Sequence, residues 1–194
     1  MEGVINSFDI MKDVPMARWK IILEHDDLEL FKFPYYLKAD ISGHKTDEGA
    51  VVRCNDVEDA AGKLKKLHKK FPNDKIIIQE GFEGIEMIIG VKQDDVFGKL
   101  LVIGFGGIFA EIKKDVSFRA FPITRIDIKD MILDLESKDI FKARGKNYDL
   151  ERFVSLIEKV VLVVQKKNIQ ELDLNPVIVG EKKSLIVDAR IQLE

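Results

Sequence analysis

Three groups of residues have the types and spacing to do chemistry. The first lies in residues 38–52, KADISGHKTDEGAVV. An apolar run, 33–37, ends in Lys38; a polar loop with Gly43, His44, Lys45 and Gly49 follows, and then the apolar run 50–52. Strand, lysine, flexible loop and strand would gather an ammonium and backbone N–H groups around one point, an arrangement that suits phosphate. On this stretch alone a hairpin with a solvated turn serves as well, because turns are rich in Gly, Asp and Lys. Taken alone, His44 reads as a plain loop histidine. His25 and His68 read as an ordinary helix-start residue and a member of a basic helix face.

The second group is near the C-terminus. In 171–176, ELDLNP, polar and apolar residues alternate, which puts Glu171, Asp173 and Asn175 on one face of a strand. Asp188 sits inside the apolar run 185–190. If the two stretches pair as a hairpin, Asp173, Asn175 and Asp188 can converge as hard oxygen ligands of the kind that hold Mg²⁺. An edge strand with a polar face is the alternative. The third group is 104–119, GFGGIFAEIKKDVSFR. Its spacing fits neither a Walker loop nor a dinucleotide fingerprint. Arg119 could stabilise charge on a transferring phosphoryl group, or the segment could be a glycine-rich bend with a charged rim.

The elements that must position these groups follow from periodicity. Val57, Ala60, Ala61, Leu64, Leu67 and Phe71 keep helical spacing, predicting a helix over 56–71 capped by Asn55 and stopped at Pro72. Helices are also predicted over 128–135 and 150–167. Strands are predicted over 17–23, 35–38, 50–54, 75–79, 85–91, 99–103, 116–123, 171–179 and 184–191. Residues 1–16 give no clear pattern. Mixed helices and mostly antiparallel neighbouring strands make the chain α+β, in two lobes.

Composition narrows the function classes. The 194 residues are 46% hydrophobic and 34% charged, with a net charge of −3. Basic and acidic residues are interspersed, which argues against a duplex-binding surface. The one dense basic run, 63–70, falls on a helical pattern and reads as a solvated face. Cys54, the only cysteine, excludes an internal disulfide and fits a reducing compartment. No apolar stretch is long enough to span a membrane, and no secretory leader is visible, so a cytoplasmic location is expected.

The segments ISGHKTDEGAVV, IIGVKQDDVFGKLLVIGFGGIFAEIKKDVSFR, ARG (143–145) and ELDLNPV…VDARI resemble, in order and spacing, the ATP-grasp subunit of ADP-forming acyl-CoA (acetyl-CoA) synthetases, related to the β subunit of succinyl-CoA synthetase. The similarity runs from about Phe33 to Leu193. It implies an ATP-grasp fold of two α+β lobes: 1–80, with the phosphate and histidine loop 38–52, and 81–194, with a metal-bearing hairpin. It implies ATP/ADP and Mg²⁺ as cofactors. A CoA-binding α-type subunit carrying a phosphohistidine would be the partner, in a hetero-oligomer such as α2β2.

The resemblance also assigns roles. His44 would relay the phosphoryl group, Lys38 would hold nucleotide phosphates, and Arg119 would touch phosphate. Glu80, Gly81 and Phe82 would be the hinge whose backbone reads adenine, with Glu86 at the ribose. Asp173, Asn175 and Asp188 would carry the metal. Two departures stand out: the N-terminal lobe reads as shortened, without a helix before its first strand, and Ile85 stands where a basic residue is usual. A degenerate module that binds nucleotide or partner without catalysis is the alternative.

Overall fold

The apolar spacing that begins after Asp56 forms helix α2 (Val57–Lys70), which buries Ala60, Leu64 and Leu67. Asp56, not the expected Asn55, is its N-cap, accepting the Asp59 amide at 2.8 Å. Asn55 is displaced because its own amide is taken by the Asp59 carboxylate at 3.1 Å. Acidic Glu58 and Asp59 open the helix and His68, Lys69 and Lys70 close it, in the sense that complements the helix dipole. The computed structural model describes residues 3–23, 28–41, 49–107 and 115–194.

Those residues divide into two compact units. The smaller comprises Gly3–Ile5 and Ala17–Phe82. Its four-stranded sheet has the order β1 (Trp19–Ile22), β4 (Ile76–Glu80), β2 (Tyr35–Ala39), β3 (Val51–Cys54), antiparallel throughout. Tyr35, Leu37 and Ala39 of β2, with Ile76 and Ile78 of β4, share a buried cluster with α2. Strand alternation therefore turns Tyr36, Lys38, Ile77 and Gln79 to the opposite face. Burial drives the Tyr35 hydroxyl well above its ordinary pKa, and it donates to the Leu28 carbonyl at 2.8 Å.

The larger unit comprises Asn6–Met16 and Glu83–Glu194. Its antiparallel sheet follows the order β10 (Arg190–Leu193), β8 (Ile169–Val179), β5 (Ile85–Asp94), β6 (Gly98–Phe105), β7 (Val116–Ala120), with β9 (Ser184–Ile186) also on β8. Met87, Ile89, Val91, Leu101, Ile103, Leu172 and Leu174 point to one face, where α3 (Arg125–Asp134) and α4 (Leu150–Lys166) cover them. Helix α4 buries Phe153, Leu156, Ile157, Val160 and Val164, the stripe its period predicts.

Several expectations change. Within residues 1–16, which gave no clear pattern, Val4–Ile10 form a helix, α1. Residues Asn6–Met16 group with the larger unit. The reason is a bridge from Met16 to Ile186, with the Ile186 amide on the Pro15 carbonyl at 3.0 Å. Helix α3 starts earlier than residue 128, because Thr124 and Asp127 form a reciprocal capping box. A 3₁₀ segment, Lys138–Gly145, has no counterpart in the sequence reading. The single strand expected over 184–191 is two, because the Val187 and Asp188 amides turn to the Pro176 carbonyl. Among the described residues no helix is long and apolar enough to cross a membrane.

Candidate functional site

In the smaller unit the site is built on β2 and β4. Lys38 pairs in register with Ile77 and Val51 and is only 3% exposed. Two places along β4 on the same face lies Gln79, fully buried, with neither side-chain amide atom hydrogen-bonded among the described residues. Nothing in the sequence singled Gln79 out. Glu80 follows; its carboxylate accepts from the Arg18 amide at 3.1 Å and from Arg18 Nε at 2.8 Å. Arg18 also lies over the Phe31 ring, 5.3 Å from its centroid. Glu80 thus anchors the end of β4 through its side chain. A Cβ on Gly81 would fall 2.2 Å from the Pro34 carbonyl oxygen, so only glycine lets the chain leave β4 here. His44, with Gly43, Lys45 and the rest of 42–48, lies outside the described residues.

In the larger unit Glu86 is exposed on β5, on the face away from α3 and α4. The glycine segment explains itself here. The Gly106 amide donates to the Glu86 carbonyl at 2.8 Å. Gly107 takes φ 59°, and a Cβ on it would fall 2.5 Å from Glu86 Oε2. The positive φ favours glycine, and a Cβ there would have to push the Glu86 carboxylate aside. Beside them opens a pocket of about 650 Å³ lined by Glu86, Phe105, Gly107, Ile140, Lys146 and Tyr148. The last three come from, or just after, the 3₁₀ segment and were not anticipated.

The C-terminal strands supply the oxygen donors. Between Met87 and Ile89 the register of β5 with β8 shifts: Val177 pairs with Met87, but Leu174 pairs with Ile89. Asn175 and Pro176 together stand opposite Ile88, which is a β-bulge. The Pro176 carbonyl accepts the amides of Val187 at 3.1 Å and Asp188 at 3.4 Å. The Asp188 backbone is thus tied to Pro176, the residue that follows Asn175. Asp173 lies two residues earlier on the face of Asn175, in register with Gly90 on one side and Arg190 on the other.

Two carboxylates and an amide oxygen are hard donors with too few charges for a complete all-protein cage, which fits Mg²⁺ with its remaining positions on water or phosphate. No group of three or more His, Cys, Asp or Glu side chains suited to a metal exists among the described residues. Arg119 stands apart from these donors. It is on the helix-covered side of β7, paired in register with Leu101, and its guanidinium bonds Asp134 at 2.8 Å. A phosphate role would require it to leave that carboxylate.

Residues 26–193 match the family model described as "ATP-grasp domain". The chain belongs to the ATP-grasp family. Its branch is that of the ADP-forming acetate–CoA ligases: it is 36% identical to subunit beta of acetate–CoA ligase [ADP-forming] I of Pyrococcus furiosus, across 93% of this chain and 85% of that subunit. Among solved structures it matches acetyl-coenzyme A synthetase 1 of Ca. Korarchaeum cryptofilum in complex with coenzyme A and Ca-AMPCP. The TM-score is 0.86 at 28% identity, covering 99% of this chain and 93% of that one. The same protein with coenzyme A and Mg-AMPPCP, its phosphohistidine segment pointing towards the nucleotide binding site, matches with TM-score 0.83, 28% identity and coverage of 98% and 92%. Other curated relatives are longer: the chain spans 22%, 23% and 50% of the length of three of them.

Proposed function

We propose that this chain is the nucleotide-binding subunit of an ADP-forming acid–CoA ligase, catalysing, with a CoA-binding α-type partner, acyl-CoA + ADP + phosphate ⇌ acid + ATP + CoA. What supports the reading is the bulge at Asn175–Pro176, where the Pro176 carbonyl accepts the Asp188 amide, with Asp173 two residues before Asn175 on the same strand. Phosphoryl transfer asks for positioning and charge neutralisation more than for covalent chemistry. A divalent cation held by Asp173, Asn175 and Asp188 would supply charge neutralisation at the phosphates.

The chain's own residues take the remaining roles. Lys38 neutralises nucleotide phosphate. The backbone at Glu80, Gly81 and Phe82 receives the adenine edge, and Glu86 accepts from the ribose hydroxyls. The His44 imidazole takes the phosphoryl group as the P–N bond to the partner's phosphohistidine breaks. It then gives the group up as an oxygen of ADP forms the new P–O bond. Arg119 reaches phosphate only on release from Asp134. With a single buried cysteine and no membrane-spanning helix among the described residues, the cytoplasm is the compartment this reading places it in.

The test is reconstitution: this chain, an α-type partner, CoA, acetate, Mg²⁺ and ATP, followed by acyl-CoA formation. His44→Ala should abolish turnover while leaving nucleotide binding intact. Turnover by His44→Ala at the wild-type rate would remove the relay. If calorimetry with ADP and Mg²⁺ gives no heat, the chain is a module that only binds its partner.

A further inference from the structure

Gly90 sits in the middle of β5, an interior strand with β8 on one side and β6 on the other. Glycine there costs roughly 0.5–1 kcal/mol relative to alanine, through backbone entropy and a lost side chain to pack. The usual reasons for it fail. The pairing with β6 runs unbroken from Met87 to Asp94, and that with β8 is regular from Ile89 to Val91, so Gly90 is not itself a bulge. It is not among the residues with positive φ. A Cβ built on it meets nothing closer than 3.6 Å, the Leu172 carbonyl and the Val102 side chain, which is ordinary contact. Among the described residues neither conformation nor packing requires a glycine here. The remaining reason for a glycine in a strand is close approach of something else.

The space is visible. A groove of about 280 Å³ lies over Gly90, flanked by Ile88 and Val102 and rimmed by Lys92, Glu171 and Asp173. Asp173 is the cross-strand partner of Gly90, and Val102 is its partner on the other side. Asn175 follows Asp173 on the same face of β8. Of the oxygen donors, Asp173 lines the groove itself. Lys92 lies 5.8 Å from the centroid of the Phe118 ring at the far rim. Carboxylates along one wall and an ammonium at the end disfavour a bare anion and favour a phosphate that arrives with a divalent cation.

We infer that the groove over Gly90 receives the terminal phosphate of a nucleoside triphosphate with its cation, and that Gly90 decides whether that phosphate fits. This rests on the function proposed above. It makes Gly90 a specificity-determining position for the triphosphate over the diphosphate, the distinction on which the reversible transfer turns.

Gly90→Ala and Gly90→Val test it without a partner subunit. Because a Cβ at Gly90 is uncrowded, both variants should keep the wild-type thermal midpoint or raise it, valine being a good strand residue. Calorimetry would then compare Mg·ADP with Mg·AMPPCP. Gly90→Val should lose at least about tenfold in affinity for the triphosphate analogue and stay within about twofold for ADP, with Gly90→Ala between. An equal loss for both nucleotides overturns the inference while sparing the proposed function. So does unchanged binding of both, even if turnover with the partner falls, because the groove would then serve the partner's segment. Failure of the wild type to bind either nucleotide overturns both.

Discussion

Gly107 lies against the carboxylate of Glu86, so a methyl group there would have to displace that side chain. The glycine motif and the acid are therefore one device, although 21 positions part them in the chain. Gly107→Ala carries two costs, the left-handed backbone at about 1–2 kcal/mol and displacement of Glu86. Denaturant unfolding should show the loss, and it should be smaller on a Glu86→Ala background, where only the backbone cost remains. Additive effects in that double-mutant cycle would mean the contact is unimportant.

The oxygen donors predict a cation-dependent phenotype. Asp188→Asn should weaken Mg²⁺-supported ADP binding by at least about tenfold. Without Mg²⁺, variant and wild type should bind ADP equally. Titration with and without chelator checks both arms. An equal defect in the absence of Mg²⁺ would show that Asp188 acts on the backbone arrangement at Pro176 instead.

Gln79 predicts a gain. A buried amide with neither atom hydrogen-bonded among the described residues costs stability, and an apolar replacement of similar size removes that cost. Gln79→Leu should raise stability by ~1 kcal/mol in urea unfolding. A loss would mean that water or ligand meets the amide.

Acid should weaken the fold through carboxylates tied to local structure. Hydrogen bonds from Thr124 hold Asp127 below its usual pKa, the Lys63 ammonium does so for Asp59, and the Phe97 and Val96 amides for Asp94. Their folded values lie below their unfolded ones. The stability they add is therefore complete above the unfolded pKa, about 3.9, and is lost as pH falls through the folded value. Thermal scans from about pH 6 to pH 2 should show Asp127→Asn converging with wild type at the acid end. Parallel curves throughout would contradict it.

Cys54 should be silent to thiol reagents. Burial pushes its pKa up to about 11, so the thiolate is scarce at neutral pH. Ellman's reagent should label it only at the rate of unfolding; fast labelling of the native protein would place the thiol at the surface.

Much of this was legible in the chain because burial imposes a period. Helices α2 and α4 follow from their apolar stripes, and Asp173 and Asn175 share a face because strands alternate. Helix α1 escaped because seven residues, VINSFDI, carry neither a cap nor two full turns of pattern. The 3₁₀ segment escaped because its period is not the helical one. Gly90 and Gln79 escaped for a different reason. A glycine or glutamine within a strand means little until its cross-strand neighbours are known, and pairing is not written locally. The break after β9 was hidden in the same way, since only the Pro176 carbonyl reveals where the Val187 and Asp188 amides go.

An ordinary strand obeys a parity rule: even steps stay on one side and odd steps cross over. In β8, Leu174 and Val177 are three apart, yet both face the helices. The surplus position between them resets the count, so each half of the strand keeps its aliphatic side chains inside. Deleting it would oblige one half to turn its leucines or its valines outward. The oil-filled interior thereby polices the donor group: sequence drift that moved Asn175 by a single step would be punished first as a folding defect, before any chemistry was lost.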